Sequence, residues 1–310
     1  MAWASRASAG LWRVGSTRTF ASSSLSPTGL PPMASGTILP VEAARHLLEM
    51  RKTGILSTVS FGTEASGLSA PLFASRVSYV PRHESRDLLL GLPQSSPHVA
   101  HLQVYSQASL LVFPLLPAAH NPAEFPNAPK LNVTGGVTQV LEEQRAAALH
   151  DLKSRHRVNQ RLVDSIRLFS LSLESIAYSD GTNQQQPRFL EPEDLWNAST
   201  DPLAPAAPHI IEEINLQRFE DKLIAAVMYY SDRPERPRAA FLFNLDRYGF
   251  DVMVEDSSET WDRLRMPFPI PIADPELALK AVHEGLDEAA AAHLEKYGPP
   301  KKDEESQEPI

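Results

Sequence analysis

The sequence predicts an α+β protein: a small β-barrel of about six strands covered by helices, then a compact α-β-β-β-α domain. Three observations predict this class. Short apolar or alternating runs punctuated by Gly, Pro and Ser fill residues 54–176. The pattern changes after a proline-rich stretch at 197–208. The composition, 42% hydrophobic and 22% charged over 310 residues, is that of a globular protein long enough for two domains.

The barrel domain is predicted over residues 41–196 and begins with a helix at 41–52. Val41, Ala44 and Leu47 recur at helical spacing, and Gly54 follows as a stop. Strands are expected at 54–60, 68–80, 87–92, 107–113, 131–141 and 168–176. Six short strands are enough to close a small barrel.

Between these strands, residues 142–164 are rich in Ala, Arg and Leu and predict one or two helices covering a barrel end. Residues 114–130 contain five prolines, so we expect a long loop there. The stretch 197–208, with three prolines among Ala and Ser, is typical of an interdomain linker.

The C-terminal domain is predicted over residues 209–296. A helix at about 210–230 leads to strands at 238–246, 249–255 and 259–266, and a second helix follows at 275–296. Residues 297–310 are rich in Pro and charge, and we expect them to be disordered.

The N-terminal lead, residues 1–40, has the composition of a transit peptide. It contains no Asp or Glu and many Ser, and on a helix Arg6 and Arg13 would lie beside an apolar face of Trp3 and Leu11. Arg18-Thr19-Phe20 before Ala21 resembles a mitochondrial processing site. We therefore expect a mitochondrial matrix protein, with a plastid as the alternative; a Ser-rich disordered tail without a targeting role remains the other interpretation.

Composition excludes several classes of protein. With no cysteine, the chain has no disulfide, thiolate nucleophile or zinc finger. The net charge is −9, and without residues 1–20 it is −12, from 26 basic and 38 acidic residues, which argues against nucleic-acid binding. The longest apolar stretch, 109–119, is too short for a bilayer, and no phosphate-loop, dinucleotide or Gly-x-Ser-x-Gly pattern occurs.

One segment combines several candidate functions. Ser95-Ser96-Pro97 is typical of a helix start, and His98 and His101 would then share one face. The two histidines could hold a metal, but no carboxylate stands at the expected spacing, so a cap is favoured and no metal site is predicted. The free backbone N–H groups of a helix start could also seat a phosphate. Gly135-Gly136, inside a strand, indicates a bulge or a close backbone approach.

The order of these pieces resembles the flavin-binding split-barrel superfamily, specifically pyridoxamine-phosphate-oxidase-like proteins of the haem-utilisation type and glutamyl-tRNA-reductase-binding proteins. The similarity runs from about Val41 to Asn197, and its best-marked pieces are 54–59, 95–102 running into 108–112, and 131–136. The second domain resembles the small α-β domain that often follows this barrel, through Asp246 to Asp251 and Arg265 to Phe268.

The resemblance implies a dimer with FMN, or haem as the alternative, near the dimer cleft. It places the flavin phosphate against side chains from a strand, the helix start and the loop before 131: Ser75, Arg76, Ser95, Ser96, His98 and Lys130. The Arg and Lys pair that grips phosphate in true pyridoxamine-phosphate oxidases is not evident in 68–75.

Two functions follow from this resemblance. One is a flavin-binding oxidoreductase in which the cofactor supplies the redox chemistry, with no catalytic acid or base identified in the sequence. The other is a non-catalytic haem-binding or regulatory protein that acts on a partner from tetrapyrrole synthesis. His98 is the candidate haem ligand in the second case, and a surface that serves only assembly is a third interpretation.

Overall fold

The computed structural model describes residues 38–60, 72–116, 125, 128–181, 186–216, 219–231 and 235–298, and every structural statement below concerns these residues. The predicted transit peptide lies outside them except for its last residues. The predicted tail beyond 298 and much of the proline-rich loop also lie outside them.

The barrel domain alternates strands with a few covering helices. Its helices are α1 Pro40–Met50, α2 Pro97–Val104, α3 Arg145–Arg155 and α4 Pro192–Asn197, with short 3-10 helices at Glu142–Gln144 and Gln160–Ser165. Its strands are β1 Thr53–Val59, β2 Leu72–Arg82, β3 Asp87–Pro93, β4 Gln107–Val112, β5 Lys130–Gln139, β6 Ile166–Ser172, β7 Ser175–Ser179 and β8 Arg188–Leu190.

Six antiparallel strands close on themselves in the order β1-β2-β3-β6-β5-β4, because β4 pairs with both β1 and β5. The predicted six-stranded barrel is therefore confirmed. Strands β7 and β8 extend the sheet beyond β5, and β8 and α4 were not predicted from the sequence.

The strand predicted at 168–176 is two strands, β6 and β7, that pair with different parts of β5. Gly135 explains the break between them. A Cβ at Gly135 would lie 1.7 Å from the carbonyl oxygen of Ser172, so the turn between β6 and β7 crosses β5 where a side chain is missing. Gly135 is therefore required by the packing of the barrel itself.

The barrel core follows from strict alternation of buried and half-buried residues along the strands. Leu56, Leu110, Val133 and Ile176 face each other across four paired strands, and none of these side chains is exposed. Full burial of such a side chain stabilises the fold by about 1.5–3 kcal/mol. Helix α1 adds further apolar side chains to the same core.

The C-terminal domain has the predicted order, except that the single helix expected at 210–230 is two helices. Its elements are α5 Ala207–Leu216, α6 Glu220–Ser231, β9 Ala239–Asp246, β10 Gly249–Glu255, β11 Trp261–Pro267 and α7 Pro275–Tyr297, with a sheet order β11-β10-β9. Helix α7 is capped by Asp274, whose carboxylate accepts hydrogen bonds from the backbone N–H groups of Glu276 and Leu277. None of the described helices has the length and apolarity needed to cross a membrane.

The segment predicted as a linker, 197–208, packs closely against the rest of the chain. Leu203 and Ala204 are fully buried. The Asp201 carboxylate accepts hydrogen bonds from Leu203 N at 2.9 Å and from Arg247 N at 3.1 Å. The segment is thus a fixed connection, because its apolar residues have a core to enter.

Candidate functional site

The imidazole of His98 lies inside the barrel end and is fully buried. Its Nδ1 is 2.8 Å from Thr58 Oγ1 and its Nε2 is 2.8 Å from Ser75 Oγ. His101 Nδ1 is 3.0 Å from the same Thr58 hydroxyl, and Phe73 packs edge-on against the His98 ring at 4.8 Å. Both ring nitrogens of His98 are therefore occupied by hydroxyl partners, which leaves neither of them directed at solvent.

Burial, with the neighbouring His101 adding to it, lowers the pKa of His98 to about 4. The ring is consequently neutral at physiological pH. A neutral imidazole held between two hydroxyls fastens helix α2 to strands β1 and β2. This arrangement does not favour His98 as a haem ligand or as a phosphate contact.

The helix start at Ser95 and Ser96 opens on a different side of α2. Ser96 is the N-cap residue, Pro97 is the first helical residue, and the Ser96 side chain makes no cap hydrogen bond. A polar groove of about 450 Å³ lies here, and among the described residues that line it Arg167 alone is charged. Ser95 and Ser96 line this groove, whereas Ser75, Arg76, His98 and Lys130 do not.

The outer face of the barrel, on strands β1, β2, β4, β5 and β7, presents a row of small side chains. Cross-strand pairing places Ala74, Ser57, Ser109, Thr134 and Ser175 side by side across the five strands. We call this row, with its flanking residues, the outer face. From within the row, Ser109 Oγ donates a hydrogen bond to Oδ1 of the flanking Asn132 at 2.6 Å.

Arg76 and Lys130 both point outward. Arg76 pairs with Ile55, which pairs with Leu111, which in turn pairs with Asn132. Lys130 is two residues from Asn132 on β5 and points outward as Asn132 does. Strands β2 and β5 are three positions apart in the closed ring of six strands, so Arg76 and Lys130 leave the barrel on opposite sides.

The six residues predicted to hold one phosphate are therefore not brought together. Arg76 and Lys130 both point outward but from opposite sides of the barrel, Ser75 and His98 lie in the barrel end, and Ser95 and Ser96 line the groove. Ser75 and Arg76 cannot both meet one ligand on the outer face, because consecutive strand residues point to opposite sides. The sequence reasoning missed Ser57, Ser109 and Thr134, although their alternation with buried residues was readable in each strand.

A six-stranded closed barrel with a β7–β8 extension and short covering helices is the architecture of the split β-barrels. The family model described as "CREG, beta-barrel" matches residues 39–182, which is the barrel domain. The barrel domain is thus similar to this family, and its closed six-stranded fold is the one that the sequence resemblance predicted.

Solved structures similar to this chain include a heme binding protein from Mycobacterium smegmatis, with 20% identity, a TM-score of 0.49, and coverage of 83% of this chain and 99% of that one. HutZ, the heme storage protein from Vibrio cholerae, has 18% identity, a TM-score of 0.33, and coverage of 43% and 88%. A protein related to general stress protein 26, of the pyridoxinephosphate oxidase family, from Clostridium acetobutylicum has 13% identity, a TM-score of 0.36, and coverage of 51% and 99%. No curated protein sequence matches the chain.

Proposed function

We propose that this protein binds a planar heterocyclic cofactor, FMN or alternatively haem, on the outer face of its barrel. The observation that carries the proposal is the row of small side chains from Ala74 to Ser175. Small side chains let a flat ring lie close to the backbone, and the neighbouring Ile55 and Leu111 offer it apolar contact.

Two outward-facing cations lie beside the row, Arg76 on β2 and Lys130 on β5, and either one suits an anionic group of the cofactor. Arg76 is exposed and Lys130 is half-buried. FMN carries one phosphate and haem carries two propionates, and Arg and Lys are the side chains that bind such groups through charge-assisted hydrogen bonds. The bound cofactor would supply the redox chemistry, while the barrel would bind it and orient it.

A second copy of the chain would complete this site. Leu72 and Phe189 are exposed to 75% and 76% and lie at opposite edges of the outer face, where they pair with Val59 and Ala177. Large exposed apolar side chains are typical of an interface. A homodimer would cover them and enclose the cofactor, and sedimentation equilibrium of Leu72→Asp, expected to be monomeric, tests this step.

The chemistry of the outer face favours binding over acid–base catalysis. Among the described residues, the ionisable side chains beside the row are Arg76, Lys130 and Glu174, and the Glu174 carboxylate already accepts hydrogen bonds from Gly136 N at 3.0 Å and from Gln107 Nε2 at 3.4 Å. An oxidoreductase on this face would therefore depend on the chemistry of the cofactor. The alternative function, a haem-binding regulator acting on a tetrapyrrole-synthesis protein, uses the same face without any reaction.

The organelle assignment is also part of the proposal, and it is supported by the acid-free composition of residues 1–40. Import of the radiolabelled full chain into isolated mitochondria, with shortening to a product that begins near Ala21, is the expected result. Import into isolated plastids alone would support the alternative location.

An absorbance spectrum of residues 21–310 as purified, followed by titration with FMN and with haemin, tests the binding function. Flavin absorbance or quenching of FMN fluorescence supports the first candidate, and a Soret band with haemin supports the second. Arg76→Ser and Lys130→Ser should each weaken binding by about ten-fold, the value of one charge-assisted contact. Lys280→Ser, on the exposed side of α7, is the control that should have no effect.

A further inference from the structure

The end of the barrel that carries Lys130 is held in place by the C-terminal domain. Lys130 is the first residue of β5 and pairs with Ser179, the last residue of β7. The chain on both sides of this pair, at Ala128 and at Asp180, contacts the second domain.

An aromatic cluster holds the chain just before Lys130. Phe125 is fully buried and packs edge-on against Phe241 at 5.4 Å and Trp261 at 4.8 Å between ring centroids. Ala128 belongs to the same cluster and is 2% exposed, and its N–H donates to the carbonyl of Phe125 at 3.1 Å. The approach to β5 is therefore fixed to one face of the C-terminal sheet.

A charged residue holds the chain just after Ser179. Arg263 Nη1 donates to the carbonyl oxygen of Asp180 at 2.7 Å, while its Nε donates to Asp251 at 3.1 Å. Burial opposes the charge of Arg263, but the adjacent Asp251 outweighs it and raises the pKa of Arg263. The guanidinium thus stays charged and joins a carboxylate of one domain to a backbone carbonyl of the other.

We infer that Arg263 and Phe125 are positioning residues for the outer face. They fix the start of β5 and the end of β7, and Lys130 projects from this end of the barrel. The inference rests on the proposed function for its ligand. The contacts of Phe125 and Arg263 between the barrel and the C-terminal domain, which we call the clamp, exist whether or not a ligand binds. The clamp makes the C-terminal domain a support of the binding site. Displacing this domain should therefore lower the affinity for the ligand without any substitution on the outer face.

Arg265 is a matched control for Arg263. Both arginines bind Asp251, but the described contacts of Arg265 are to Asp251 and Asp246 within the C-terminal domain. Arg263→Met and Arg265→Met therefore remove one ion pair from Asp251 each, and only the first removes a contact with the barrel. Phe125→Leu tests the clamp from the barrel side if Arg263→Met fails to fold.

The test measures Kd for FMN, with haemin in a parallel titration, together with deuterium uptake of the peptide covering 128–134. We expect Arg263→Met and Phe125→Leu to raise Kd about three- to ten-fold and to increase exchange in that peptide, with less than about two-fold change for Arg265→Met. Unchanged exchange in Arg263→Met, or an equal effect of Arg265→Met, would overturn the inference. A wild-type protein that binds neither probe would refute the proposed function, while the exchange result would still decide whether the clamp exists.

Discussion

His98 Nε2 lies 2.8 Å from Ser75 Oγ, so helix α2 is joined to strand β2 through a buried imidazole. The Nδ1 side of the same ring contacts Thr58 of β1. Three elements around the barrel end therefore depend on one side chain, which has a structural role in this position.

Replacing His98 with alanine should destabilise the fold. The change leaves a cavity and removes the partner of two buried hydroxyls, which together cost about 2–4 kcal/mol. Urea unfolding of the wild type and His98→Ala measures this loss. A Soret band with haemin that persists in a folded His98→Ala sample is also expected, and loss of that band without loss of stability would instead identify His98 as the haem ligand.

The pH dependence of stability should show the neutral state of His98. Its folded pKa of about 4 is below the unfolded value of about 6.5, so the unfolded chain binds the extra proton first. The stability that the neutral His98 ring contributes is fully present above about pH 6.5. It is lost as the pH falls toward 4, by up to about 3 kcal/mol. The free energy of unfolding should differ less between pH 7.5 and pH 5.0 in His98→Asn than in the wild type. An equal difference in the two proteins would count against this role.

The buried carboxylate of Asp251 should be essential to the C-terminal sheet. Although burial alone would raise its pKa, Arg263 and Arg265 lower it to about 2, so the group is charged and paired at neutral pH. Asp251→Asn removes the carboxylate that pairs with Arg263 and leaves Arg265 with Asp246 alone, and should cost about 3–5 kcal/mol. Thermal unfolding checks this, with Asp221→Asn at an exposed ion pair as the control that should leave the midpoint unchanged.

Gly135 and Gly285 should respond oppositely to alanine. At Gly135 the new Cβ would meet the backbone of Ser172, which cannot move away without breaking the β6–β7 turn, so we expect a loss of more than about 3 kcal/mol. At Gly285, in the middle of α7, nothing lies within 4 Å, and alanine should stabilise by about 0.5–1 kcal/mol. Chemical denaturation of both variants decides the matter, and a tolerated Gly135→Ala would contradict the packing described for the turn.

The sequence predicted the fold well because alternation and turn residues are local signals. Strands β1 to β5 and the C-terminal sheet were found within a few residues of their actual bounds. The break between β6 and β7 was missed because it depends on the crossing of Ser172 over Gly135, a contact between residues 37 positions apart. The buried role of residues 197–208 was missed for the same reason, since three prolines indicate a loop but do not tell whether a core receives Leu203.

The candidate site could be predicted only in part. A family resemblance brought six residues together, but it carried no information on which side of each strand a residue points. Ser75 and Arg76 are adjacent in the chain and separated in space, because their side chains leave β2 in opposite directions. The outer face becomes visible only when the register of five strands is known.

Titration of FMN and haemin into Ser109→Phe tests whether the cofactor lies on the outer face, because Ser109 lies in the middle of the row of small side chains. A phenyl ring there would occupy the place of the cofactor. We therefore predict that the affinity for whichever ligand the wild type binds falls by at least about ten-fold, while the unfolding midpoint is unchanged. Ser154→Phe, on the exposed surface of α3, is the control and should bind as the wild type does. Undiminished affinity in Ser109→Phe would show that the ligand does not bind on the outer face.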